Sequence, residues 1–348
     1  MKAQILTTII ASLLIMLGSC SSNPTGIRAT GTAYEIIVVA TQPIWNNEVG
    51  NILKEQLMAP VPGLPAPENA MRISYVQPAD FSGMLTYVRN ILMVTVDNSR
   101  YTKISVKSEP NRWAKGQVVV SITSPDESLL ADYLNENNGL LVEFFTKIEM
   151  KRYAEVLQTT YSKPVMDQLM TKFDISLHAP SDITALAAND TTPDFFWASN
   201  NANTGRMDVV VYSFPYTDPN TFTKEYLIAM RNSILGANIE GSFPDSYMST
   251  SPFVSYTPIS LYGKYCGVLR GLWEMEGDMM GGPFVSFARL DETNNRVVVA
   301  EGFVYSPESD KKNYIRRLEA SLHTLRLSEE LNMTLDGPVM DEESGDNG

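Results

Sequence analysis

Hydrophobic and polar positions alternate along this chain with two periods, and the switches between them predict its elements. Tyr34-Glu35-Ile36-Ile37-Val38-Val39-Ala40 is a nearly unbroken apolar run, the pattern of a strand buried on both faces. Asn47 to Met58 takes up helical spacing. Strands are predicted at Arg72–Gln77, Ile91–Val96, Lys103–Lys107 and Gln117–Thr123, with a short helix at Phe81–Val88. Ser124-Pro125-Asp126-Glu127 places a capping hydroxyl, a proline and a glutamate in capping-box order, so a helix should open with Ser124 as its cap. Leu129, Leu130, Tyr133 and Leu134 supply its apolar face. Asn137-Asn138-Gly139 breaks it, and Leu141, Phe144, Phe145, Ile148 and Tyr153 line a second helix.

The short polar turn Tyr161-Ser162-Lys163-Pro164 predicts a boundary between about Thr160 and Phe173. Beyond it strands are expected at Phe173–His178, Phe195–Ala198 and Met207–Phe214, then a helix opened by Asp218-Pro219 and carrying Phe222, Tyr226, Met230 and Ile234. Lys264 to Tyr305 reads as a meander. Ser306-Pro307 should start a last helix with Ile315, Leu318, Leu322 and Leu325 on one face. The fold class is therefore α+β, in two units (34–160 and 161–330), each a mostly antiparallel sheet packed with helices. An α/β/α sandwich is the alternative for the second half. Phe81 to Asn90 echoes Phe222 to Asn232, and Ser124-Pro125 echoes Ser306-Pro307. Duplication and chance recurrence of helix caps explain this equally well. Pro60, Pro62, Pro65 and Pro67 fix backbone angles between the first helix and the next strand, and a stiff connector is favoured there over a docking motif.

Composition then narrows the setting. With 348 residues, 44% hydrophobic and 19% charged, the chain can bury two modest cores. Its net charge is -13, and removing residues 1–19 takes away one base, Lys2, and no acid, which makes it -14. That balance speaks against nucleic acid as a partner. Lys2 precedes an apolar run from Ile5 to Leu17, too short to span a bilayer and of signal-peptide length. It ends in Leu17-Gly18-Ser19-Cys20, which resembles the lipobox of bacterial lipoproteins. By that resemblance residues 1–19 are removed, Cys20 becomes the N-terminus and carries acyl chains such as palmitate, and membrane lipid is a partner. Residues 20–33 form a polar tether that could reach roughly 45 Å fully extended. Residues 331–348 form an acidic tail expected to be disordered. Only Cys20 and Cys266 exist, so acylation of the first leaves no intramolecular disulfide to form, and Cys266 sits in an apolar strand context.

Searches for chemistry return little. His178 and His323 are the only histidines and no spacing suggests a metal site; no phosphate-binding, dinucleotide or nucleophile-elbow motif is present. No cofactor, metal or catalytic residue is assigned, and a non-enzymatic role is favoured over catalysis. The densest unusual stretch is Arg270 to Phe284. Trp273 and Met275 should face one side of a strand, and Glu274 and Glu276 the other. Gly277-Asp278-Met279-Met280-Gly281-Gly282-Pro283 should form the following turn. Trp273, Glu274, Glu276, Asp278, Met279 and Met280 are the candidate ligand or partner surface. Glu301 interrupts an otherwise apolar strand and needs a buried partner, for which Arg270 is the candidate. A carboxylate pair beside an aromatic ring also suits sugars, so carbohydrate binding or cleavage by Glu274, Glu276 and Trp273 is the alternative function.

Together, Arg89-Asn90-Ile91-Leu92, Trp113-Ala114 with Gln117, Glu149 with Arg152, Ser246-Tyr247-Met248, Arg270-Gly271-Leu272-Trp273, Met280-Gly281-Gly282-Pro283-Phe284 and Glu301-Gly302-Phe303-Val304-Tyr305 resemble a family of uncharacterised Bacteroidota lipoproteins defined as domain of unknown function 4837, over roughly residues 30 to 327. The resemblance implies a cell-envelope location and no particular activity. The second half is also similar to the photosystem P-subunit and Ran-binding Mog-type sandwiches. Surface-exported lipoproteins of that bacterial group carry acids after the cysteine, whereas Ser21-Ser22-Asn23 follows here, which implies the periplasmic face of the outer membrane. Asp190-Thr191-Thr192 resembles their O-glycosylation signal, with Thr191 as acceptor. The expected role is binding or assembly with another envelope component.

Overall fold

The computed structural model describes residues 26–187 and 192–331, arranged as two units. Cys20, Thr191, the segment expected to be a signal peptide and most of the expected acidic tail lie outside the described residues.

The first unit comprises residues up to Ala59 together with Met71–Phe145. Its elements are β1 (Glu35–Val39), α1 (Gln42–Asn46), α2 (Glu48–Leu57), β2 (Arg72–Val76), β3 (Asn90–Val96), β4 (Ser105–Pro110), β5 (Val118–Ser124) and α3 (Glu127–Glu136). The five strands lie in the order β2-β1-β3-β5-β4. Of the four pairings, β1–β2, β1–β3 and β3–β5 are parallel and only β4–β5 is antiparallel. Two-unit α+β architecture is as expected, but this sheet departs from the antiparallel pairing predicted for it. The reason is visible in β1, β3 and β5, whose continuous apolar runs are buried on both faces, as parallel strands joined by crossovers require. Two buried amides hold the crossovers. Asn90 donates to the Glu35 carbonyl at 2.8 Å, while Gln117 accepts from Trp113 N and donates to the carbonyls of Thr86 and Val88. Ser124 ends β5 instead of capping α3; Asp126 is the cap and accepts from Leu129 N at 2.9 Å.

The second unit comprises Pro60–Ala70 and the chain from Thr146 onward. By packing, the division falls inside α4 (Leu140–Leu157), and it groups the proline-rich segment Pro60–Ala70 with this unit. Then follow α5 (Lys163–Phe173), β6 (Ala185–Leu186), β7 (Phe195–Ser199), β8 (Arg206–Pro215), α6 (Lys224–Asn238), β9 (Tyr247–Leu261), β10 (Lys264–Glu276), β11 (Gly281–Asp291), β12 (Arg296–Tyr305) and α7 (Lys312–Leu322). The strand predicted at Phe173–His178 is absent. Ser162 instead caps α5, which ends at Phe173 with Asp174 in the left-handed region at φ 52°.

The seven strands run in the order β6-β7-β8-β12-β11-β10-β9, antiparallel throughout. Odd-numbered residues of β12 (Val297, Val299, Phe303) share a core with Leu227 and Leu235 of α6. Even-numbered ones (Val298, Ala300, Val304) share a second core with α5 and α7. Helices thus cover both faces, and this unit is an α/β/α sandwich. The different topologies of the two sheets rule out a structural repeat behind the sequence echo.

The proline-rich segment is a docked loop. Val61 N donates to Glu68 O at 2.9 Å, and Leu64 packs on the α5–α7 core. The Glu68 carboxylate then accepts from Lys311 N at 2.8 Å and Lys312 N at 2.9 Å, at the start of α7. The last helix therefore begins at Lys312 and not at Ser306-Pro307, because its cap arrives from a distant loop.

Candidate functional site

The stretch Arg270–Phe284 spans the end of β10, a turn and the start of β11. Trp273 is 3% exposed and points into the α6 core, where its ring meets Phe303 edge-on at 5.4 Å. Its indole Nε1 donates to the Val304 carbonyl at 3.2 Å across Gly282, where a side-chain carbon would sit 2.0 Å from that oxygen. Glu274 and Glu276 lie on the opposite face and are exposed, as the alternation predicts. The three residues named for sugar binding therefore do not form one surface.

Arg270 and Glu301 do not pair. In the sheet register Arg270 stands beside Val285 and Gly302, whereas Glu301 stands beside Ser286 and Leu269. Directly opposed residues share a face and successive residues alternate, so the two side chains leave the sheet on opposite sides. Glu301 is fully buried and takes a two-armed contact from Arg231 of α6, Nη2 to Oε1 at 2.7 Å and Nε to Oε2 at 2.9 Å. Arg231 also donates to Thr250 Oγ1 at 2.7 Å and stacks 4.0 Å from the Phe284 ring centroid. Burial pushes the Glu301 carboxyl above the ordinary carboxylate range, and Arg231 opposes that shift.

Arg270 instead holds Glu319 of α7, with Nε to Oε1 at 2.9 Å. Burial works to raise Glu319, but Arg270, with His323 and Arg316 adding to it, outweighs burial and leaves the carboxyl below its ordinary value. His323, one turn further on, is buried with its ring edge-on to Phe287 at 4.9 Å. Burial lowers its pKa to about 4, with Glu319 opposing. Cys266 is buried, and its thiol is pushed up to about 12 by the same desolvation, so it is unsuited to act as a nucleophile. No group of three or more His, Cys, Asp or Glu side chains is placed to hold a metal among the described residues.

What remains open to solvent is the turn. Gly277, at φ 78°, lets the chain reverse, and Met275 N donates to Met280 O at 2.9 Å. Met280 tucks against the α6 core, whereas Met279 is fully exposed. Asp278 fastens this turn to the loop before β9. Its Oδ2 accepts from Ser242 N at 2.8 Å and its Oδ1 from Met279 N at 2.6 Å, and the first of these bonds does most to hold its carboxyl below the usual range. The fastening brings in residues that sequence reasoning missed. Phe243 in that loop is 59% exposed, and Tyr247, paired with Glu276 at the start of β9, is 47% exposed. Phe253 is 82% exposed where the β9–β10 register shifts. An exposed aromatic beside a proline was the available signal at Phe243-Pro244 and Pro252-Phe253.

Residues 162–324 match the family model described as Domain of unknown function (DUF4837), and residues 29–158 match Domain of unknown function (DUF8532). No curated protein matches the chain. Among solved structures, the Ran-binding protein Mog1p of Saccharomyces cerevisiae is similar at 9% identity and a TM-score of 0.29, with 44% of this chain and 90% of that one covered. The human StarD13 lipid transfer and protein localization domain is similar at 9% identity and a TM-score of 0.20, with 39% and 89% covered. Scores this low carry no argument about this chain.

Proposed function

We propose that this chain is a lipid-anchored cell-envelope protein, held by acylated Cys20 to the periplasmic face of the outer membrane, and that it binds another envelope protein without catalysing a reaction. The observation that carries the binding role is the end of the seven-stranded sheet where Phe243 and Met279, on two loops fastened by Asp278, and Tyr247, at the start of β9, stand exposed. Exposed apolar side chains gathered at one end of a sheet gain a monomer little and mark contact surfaces. The lipobox-like Leu17-Gly18-Ser19-Cys20 supports the anchor. A carbohydrate role would need an aromatic platform other than Trp273, whose ring is enclosed.

Affinity purification of the tagged full-length chain from its native membranes tests this reading, with glycan-array binding measured in parallel. A stoichiometric protein partner and no glycan signal is the expected outcome. Specific glycan binding without a protein partner would replace it with the carbohydrate reading.

A further inference from the structure

We infer that the partner surface seated on this end of the sheet is basic as well as apolar: a protein segment carrying lysine or arginine around one or two apolar side chains. This inference rests on the binding reading above and adds the chemistry of the partner. Five surface carboxylates lie in the two segments that carry the exposed apolar groups: Glu240, Asp245, Glu274, Glu276 and Asp278. The two segments that build the surface, 239–255 and 273–284, contain no lysine or arginine. Register and hydrogen bonds bring the acids together. Glu276 stands opposite Tyr247 and Glu274 opposite Ser249, Glu240 bridges to Tyr247, and Asp278 is bonded to Ser242. None of the five forms an ion pair among the described residues, although ten or more arginines and lysines of this chain do find carboxylates elsewhere.

An apolar centre with a rim of one sign is the arrangement by which charge steers encounter and selects partners, while the desolvated apolar contact supplies affinity. The rim repels an anionic lipid surface and a second copy of the same face, because both would bring like charge against it. A basic, apolar protein segment is the occupant that satisfies both features.

Site-specific photo-crosslinking of the full-length chain in native membranes tests this directly. p-Benzoylphenylalanine is placed at position 243, at position 279, and at the exposed position 170 of α5 as the comparison. The expected result is one protein adduct from 243 and 279, crosslinked through a peptide that contains lysine or arginine. The Glu274→Lys/Glu276→Lys pair should lower its yield about tenfold or more, an effect of charge on association. The Asp167→Lys/Glu225→Lys pair, with the same change in net charge elsewhere, should leave it unaltered. An adduct with lipid, with a second copy, or with an acidic peptide overturns the inference, as does a yield insensitive to the first charge reversal. A protein adduct from 170 alone overturns it while leaving the binding reading intact. No protein adduct from any position counts against both.

Discussion

At the scale of single residues, the second unit is organised by arginine–glutamate pairs buried on each side of its sheet. Arg231–Glu301 lies on the α6 side and Arg289–Glu330 on the other. A buried pair contributes little over apolar residues of the same size, but removing one member strands a charge. Arg231→Met alone should therefore cost on the order of 3–5 kcal/mol in urea unfolding, and Arg231→Met with Glu301→Leu should recover most of it. Equal losses in the single and double variants would contradict this. His323 gives a second residue-scale prediction. Its folded pKa of about 4 lies below the ordinary histidine value, so the unfolded chain binds the proton more readily in between. Its contribution is complete above about pH 6.5 and is lost as the pH falls toward 4, by roughly 3 kcal/mol in all. His323→Leu should flatten the stability profile across that window, measured by denaturant midpoints at a series of pH values. These contacts were illegible in sequence for a simple reason. Arg231 and Glu301 are 70 positions apart, and only the strand register excludes Arg270.

At the scale of elements, the periodicity of Trp273-Glu274-Met275-Glu276 announced which side would be buried, and the structure keeps that alternation. The strand beside it was hidden. β9 reads Tyr-Met-Ser-Thr-Ser-Pro-Phe-Val-Ser-Tyr-Thr-Pro-Ile-Ser-Leu, a polar run with Pro252 and Pro258 that suits only the edge of a sheet, where a missing N–H is tolerated. Helix starts misled where the cap was not local. Ser306-Pro307 has the right chemistry, yet α7 opens at Lys312 because Glu68 supplies both acceptors from 243 and 244 positions away. Glu68→Ala should therefore cost about 1 kcal/mol and speed amide exchange in the first turn of α7. Unchanged protection at Lys312 to Ile315 would show that the cap is dispensable.

At the scale of the whole molecule, pairing direction was the part of the fold that composition concealed. Continuous apolar strands such as Ile36 to Val39 are compatible with either direction until the crossovers are known. The candidate surface was half legible: Glu274, Glu276, Asp278 and Met279 lie at the surface, while Phe243 and Tyr247 join them through the bond from Ser242 to Asp278 and the pairing of Tyr247 with Glu276. Anchoring predicts that Cys20→Ala moves the chain from the membrane to the soluble fraction, with detergent partitioning as the readout. The most direct test of the account compares partner recovery from native membranes by the wild-type chain and by the Phe243→Ser/Met279→Ser variant. The account predicts a near-stoichiometric protein partner with the first and about a tenfold or greater loss with the second, at an unchanged unfolding midpoint. Equal recovery by both chains would contradict it.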